Sequence, residues 1–228
     1  MTASYILQQT YKINHPADHD MDVSVMGAKD TSQSALDSAF EGVKSGLSQC
    51  YDRTSVPGVR VRKFETDQVI DCGDKFGSGE AFLSDHDFSD GHYLWVTGCR
   101  DPRSNNTGGW EKRTQGFVST SVYGEGYYLS SMAIHETLHA FLINNCVNTP
   151  GNDHVNGQDK RFTERNQFGD IVLKYRVTPM ATSYEDTDKN YEARGGCNND
   201  EHTDGTTNQL SDCTIQNIED SRQHAMDF

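Results

Sequence analysis

Five consecutive residues, His135-Glu136-Thr137-Leu138-His139, carry the side chains best suited to chemistry. In an α-helix, positions four apart lie about 40° apart around the axis, so both imidazoles share one face. Neutral imidazole nitrogens bind zinc at about 2.0–2.1 Å, and two on one face can reach a single ion. A metal there lowers the pKa of a bound water towards 7. Glu136, next to the first imidazole, can take that water's proton and return it to a leaving amine. A purely structural zinc would have no need of this carboxylate.

Such a pair works only where a helix holds it. Met132, Ile134, Leu138, Phe141 and Leu142 supply apolar contacts, so a helix is expected over 130–145, capped by Ser130 or Ser131. A second strong helix is expected at 32–49. There Leu36, Phe40, Val43 and Leu47 form one stripe, and Asp30 or Thr31 can cap the start. Strands are expected at 3–13, 22–26, 59–64 and 92–97. Residues 116–123 alternate, and read as an edge strand with one wet face that could bind an extended peptide. Residues 66–91 and 100–115 read as polar loops, and the chain reads as irregular from the metal helix to about 169. Residues 171–177 read as a short strand or turn, 181–209 as a loop, and 211–226 as a last helix starting at Ser211 or Asp212.

HETLH on a helix that follows a mixed sheet resembles the zincin metallopeptidases. The resemblance implies a zinc endopeptidase with an α+β fold. It would be one catalytic domain over 1–228, with a sheet-bearing lobe at 1–147 and a loop-rich lobe at 148–228 ending in a helix. It also implies a third protein ligand. The metzincin continuation HExxHxxGxxH is missing, because Leu142 stands in place of the glycine and Asn145 in place of the third histidine. His154, 15 residues past His139, is the candidate third ligand, with Asp153 and Glu192 as alternatives and Asp159 and His202 as outsiders. Met180, in Val177-Thr178-Pro179-Met180, is similar in position to the methionine turn of metzincins, an apolar base to the metal site. Tyr184 follows closely and would donate its hydroxyl to the oxyanion of the tetrahedral intermediate.

Composition limits the alternatives. Of 228 residues only 34% are hydrophobic, so burial needs help in holding the fold. Six cysteines (Cys50, Cys72, Cys99, Cys146, Cys197 and Cys213) without a CxxC pair suggest three disulfides and an oxidising, extracellular setting. Cys197 with Cys213 is the one pairing expected. The first fifteen residues lack the basic region and apolar stretch of a signal peptide, so a secreted form would have lost one. The net charge of −14 repels nucleic acid and anionic membranes, and no apolar run spans a bilayer. A monomer acting on a peptide or protein is expected. His86 and His92 flank Asp87 and Asp90 and read as part of a polar loop rather than a second ion site. Asp/Asn-rich loops at 151–159 and 185–204 could hold Ca2+, though neither has EF-hand spacing. Two other readings remain open: a non-catalytic extracellular module with structural zinc, and a zinc hydrolase acting on something other than peptides.

Overall fold

The computed structural model describes residues 3–17, 20–100, 103–104, 110, 112–142, 159–165, 171–180 and 207–226, the side chains of 103–104, 159–165 and 171–177 excepted. Its centre is a six-stranded mixed sheet in the order β1-β3-β2-β4-β6-β5. The strands are β1 (Tyr5–Ile13), β2 (Met21–Gly27), β3 (Val59–Thr66), β4 (Gly91–Thr97), β5 (Arg103–Ser104) and β6 (Arg113–Ser119). The neighbours β3-β2-β4-β6 run parallel, while β1 and β5 lie antiparallel at the two edges. Parallel strands are covered on both faces, and β4 accordingly has every residue buried.

Alternation along these strands divides the core in two. Val23, Val25, Val61, Leu94, Val96 and Val118 point to one face, where α1 (Gln33–Arg53) and α4 (Tyr127–Leu138) pack. Met26, Phe64, Tyr93, Trp95 and Phe117 point to the other, against Phe82 and Leu83 of α2 (Lys75–Asp85). The stripe Leu36, Phe40, Val43 and Leu47 of α1 is buried, as its spacing requires. Ser32, rather than Asp30 or Thr31, caps it by accepting from the Ala35 amide at 3.1 Å.

Two glycines set how close α4 comes to α1. A Cβ on Gly42 would stand 2.4 Å from the Ser130 carbonyl oxygen, and one on Gly46 would stand 2.9 Å from Ile134 Cγ2. The Ser130 hydroxyl donates to the Ser38 carbonyl at 2.7 Å across this contact. Ser130 therefore ties two helices together instead of capping one. The helix begins earlier than its sequence suggests, after Gly126, which has φ +84° and makes no side-chain cap. It also ends earlier, with Leu138 its last residue and His139 at its C-cap.

Other expectations are corrected. Residues 66–91 contain α2, whose first turn is capped by Asp74 accepting from the Gly77 amide at 3.1 Å. The strand expected over 116–123 is β6 only to Ser119. The Ser119 hydroxyl then accepts from the Val122 amide at 3.2 Å and starts the short helix α3 (Thr120–Tyr123). Nor is β6 the edge, because β5 pairs outside it at Gly116 and Phe117. The stretch read as irregular contains β7 (Asp159–Arg165), which forms a two-stranded antiparallel sheet with β8 (Ile171–Val177). The last helix, α5 (Asp212–Met226), starts as expected. Ser211 accepts from the Thr214 amide at 2.9 Å, and Ile215 and Ile218 join the core.

One disulfide, Cys72–Cys99, ties the segment before α2 to the end of β4. Cys213 is also disulfide-bonded. Its expected partner Cys197 lies outside the described residues. Cys50 corrects the reading of three disulfides. It is a free thiol at the centre of the core on α1, and burial pushes its pKa up to about 12. It packs as a small apolar residue. No helix among the described residues is long and apolar enough to cross a membrane.

Candidate metal centre

The C-terminal turn of α4 brings the two imidazoles together. His135 Nε2 and His139 Nε2 lie 3.0 Å apart, with ring centroids 4.6 Å apart and planes nearly perpendicular. Two nitrogens on a tetrahedral ion at about 2.05 Å would be roughly 3.3 Å apart, so the pair is close to the spacing such an ion needs.

The tautomer of His135 is fixed from behind. Its Nδ1 lies 2.6 Å from the carbonyl oxygen of Pro179, an acceptor, so Nδ1 carries the proton. A neutral His135 then presents the Nε2 lone pair towards His139. A proton on His139 Nε2 can fill the space between the two nitrogens, and a metal cation can take its place. Metal-ligating histidines characteristically donate their second N–H in this way, which orients the ring and raises its basicity.

The β7–β8 hairpin delivers that carbonyl. β8 ends at Val177, and Thr178, Pro179 and Met180 follow it directly into the interior, all three buried. Met180 is 0% exposed and belongs to the same core as Ile134 and Leu138. The segment singled out for its methionine thus reaches α4 through the backbone oxygen next to that methionine.

Glu136 lies between the two histidines in sequence and is buried, at 4% exposure, as are His135 and His139 at 4% and 7%. A cation among such groups would be held in low dielectric, where its charge acts strongly. Among the described residues no group of three or more His, Cys, Asp or Glu side chains is gathered for a metal. The third-ligand candidates His154, Asp153, Glu192 and His202 lie outside the described residues, as does Tyr184. Asp159 opens β7, opposite Val177.

The end of the helix is pinned by aromatic contacts. Trp110 Nε1 donates to the Phe141 carbonyl at 3.0 Å, and the two rings meet edge to face at 5.1 Å.

His92 carried two readings in the sequence, the start of a strand and part of a polar loop. The strand expected at 92–97 already included it, and the structure keeps that reading over the polar loop: His92 is the second residue of β4 and 0% exposed. Its Nδ1 lies 3.0 Å from the Thr114 hydroxyl, while Nε2 has no hydrogen-bond partner among the described residues. Burial, and after it the charge of His139, pushes its pKa down to about 3. The signal available in the sequence was the place of His92 in the alternation of β4, in phase with Leu94 and Val96. His86, its companion in the loop reading, caps α2 at the C-terminal end, and its ring lies tilted against that of Phe82 at 4.3 Å.

No protein family, no curated protein and no solved structure matches this chain.

Proposed function

We propose that this chain is a secreted zinc-dependent endopeptidase with Glu136 as its general base. The observation that carries the reading is the facing pair His135 Nε2 and His139 Nε2, 3.0 Å apart, with the His135 tautomer set by the Pro179 carbonyl. Their donor set, neutral nitrogens with a buried carboxylate between them in sequence, suits zinc. Zinc bound there would supply Lewis acidity towards the scissile carbonyl and would acidify water.

The chain's own groups do the rest. His135 and His139 hold the ion, with His154 as third ligand and Asp153 or Glu192 as its alternatives. Glu136 takes the proton of the attacking water and passes it to the leaving amine. Tyr184 donates to the oxyanion, and Met180 closes the apolar floor of the site. An extended peptide would add along the β5 side of the sheet. The Cys72–Cys99 disulfide is in keeping with an oxidising, extracellular setting. The chemistry separates this reading from a structural zinc module, because Glu136 has no role in a closed site.

The test is casein hydrolysis by the wild type and by Glu136→Gln, each with its zinc content measured. Glu136→Gln should keep its zinc and lose activity by roughly 10²–10⁴-fold. Full activity in this variant would overturn the mechanism.

A further inference from the structure

His92 is a polar group that the proposed mechanism leaves unused. Its side chain points to the α4 face of the sheet, in register with Leu94 and Val96, both in the core against α4. Its ring meets that of Phe141, two residues past His139, at 6.2 Å and at a steep angle. Thr114, opposite it on β6, holds Nδ1 at 3.0 Å and so fixes the plane of the ring. The orphaned Nε2 is completely buried. A buried polar atom without a partner costs about 1–3 kcal/mol, and natural interiors commonly satisfy such atoms with an ordered water.

The ring is therefore held through Nδ1, and its Nε2 lacks a hydrogen-bond partner on the face of the sheet where α4 packs.

We infer that His92 is a positioning residue of the metal centre: its Nε2 accepts a hydrogen bond from one buried water that links it to the His139 imidazole. This rests on the zinc reading above. His92 Nδ1–H donates to Thr114 Oγ1, Nε2 keeps its lone pair, and the water completes the chain. The effect is to hold the second ligand in the orientation that His135 receives from a backbone carbonyl. In this arrangement His92 acts through His139 and is not itself a ligand.

The test measures zinc affinity of the whole chain by competition with a chromophoric chelator. His92→Phe keeps a ring but removes the acceptor. It should weaken zinc binding by about 10–100-fold, the range usual for loss of an outer-shell partner. His92→Gln, whose amide oxygen can reach the place of Nε2, should recover most of that loss. A merely structural ring would be replaced better by phenylalanine than by glutamine, so the reverse order would overturn the inference.

Should His92→Phe fail to fold, the wild type still decides. A ¹⁵N spectrum of its histidine rings should show His92 as the Nδ1–H tautomer with an accepting Nε2. An Nε2–H tautomer would overturn it. If the wild type binds zinc and His92→Phe binds it equally well, this inference alone fails. If the wild type binds no zinc, the reading beneath it fails as well.

Discussion

A single imidazole on β4 makes the stability of this chain depend on pH. Burial, with His139 second, holds His92 down to about 3 from its ordinary 6.5. Between those values the unfolded chain binds a proton that the folded chain refuses. The stability this group contributes is therefore full above about pH 6.5 and is lost as pH drops towards 3, by at most about 1.4 kcal/mol per unit. Urea unfolding of chelated protein at pH 7 and pH 4.5 measures the slope. His92→Phe should flatten it, and an unchanged slope in that variant would contradict the assignment. The contrast with the HETLH pair shows what a sequence displays at this scale. His135 and His139 are related by local helical spacing, which is visible in five letters. His92 gains its setting from Thr114, 22 residues on, and from the packing of α4 over the sheet. Its acidic neighbours Asp87 and Asp90 suggested solvent, while the alternation of β4 placed it inside.

At the scale of elements, the close approach of α1 and α4 positions the pair His135 and His139. Gly42 leaves no room for a side chain, because a Cβ there would meet the Ser130 backbone at 2.4 Å. Gly42→Ala should push α4 away and destabilise the chain by about 1–3 kcal/mol, read as a lower urea midpoint. Zinc affinity should fall with it, since the pair rides on α4. A midpoint equal to that of the wild type would show that α4 is free to move. The long helix α1 and the buried parallel strands were legible because each carries a clean period. α2 was not, because Gly77, Ser78 and Gly79 are poor helix formers and its formation depends on the Asp74 cap and on burial of Phe82 and Leu83. β7, with the sequence Asp-Lys-Arg-Phe-Thr-Glu-Arg, has almost no apolar alternation and takes its conformation from pairing with β8. The start of α3 was lost to a serine hydroxyl that outcompetes strand alternation.

For the molecule as a whole, the small apolar share suggested covalent help, and Cys72–Cys99 provides some of it. This bridge closes a sequence separation of 27, for which chain entropy gives a contribution of about 3–4 kcal/mol. The double variant Cys72→Ser with Cys99→Ser should lose that order of stability in urea, and a loss below about 1 kcal/mol would deny the bridge its role. An even cysteine count suggested that all six pair, but counting cannot see burial. Cys50 lies in the middle of α1, where its neighbours are side chains of the core. The lower half of the candidate metal site was legible only as a pattern around Met180. The structure adds that Thr178 to Met180 run inside and that the Pro179 carbonyl meets His135.

The proposal places one zinc ion between His135 and His139, with Glu136 as the base that acts on water. Anomalous scattering at the zinc edge, from crystals of the zinc-loaded chain, tests it most directly. The account predicts one zinc about 2.0–2.1 Å from both Nε2 atoms, with a third protein ligand and one position left to water. A chain that takes up no zinc at this pair, or a zinc closed by four protein ligands, would contradict it.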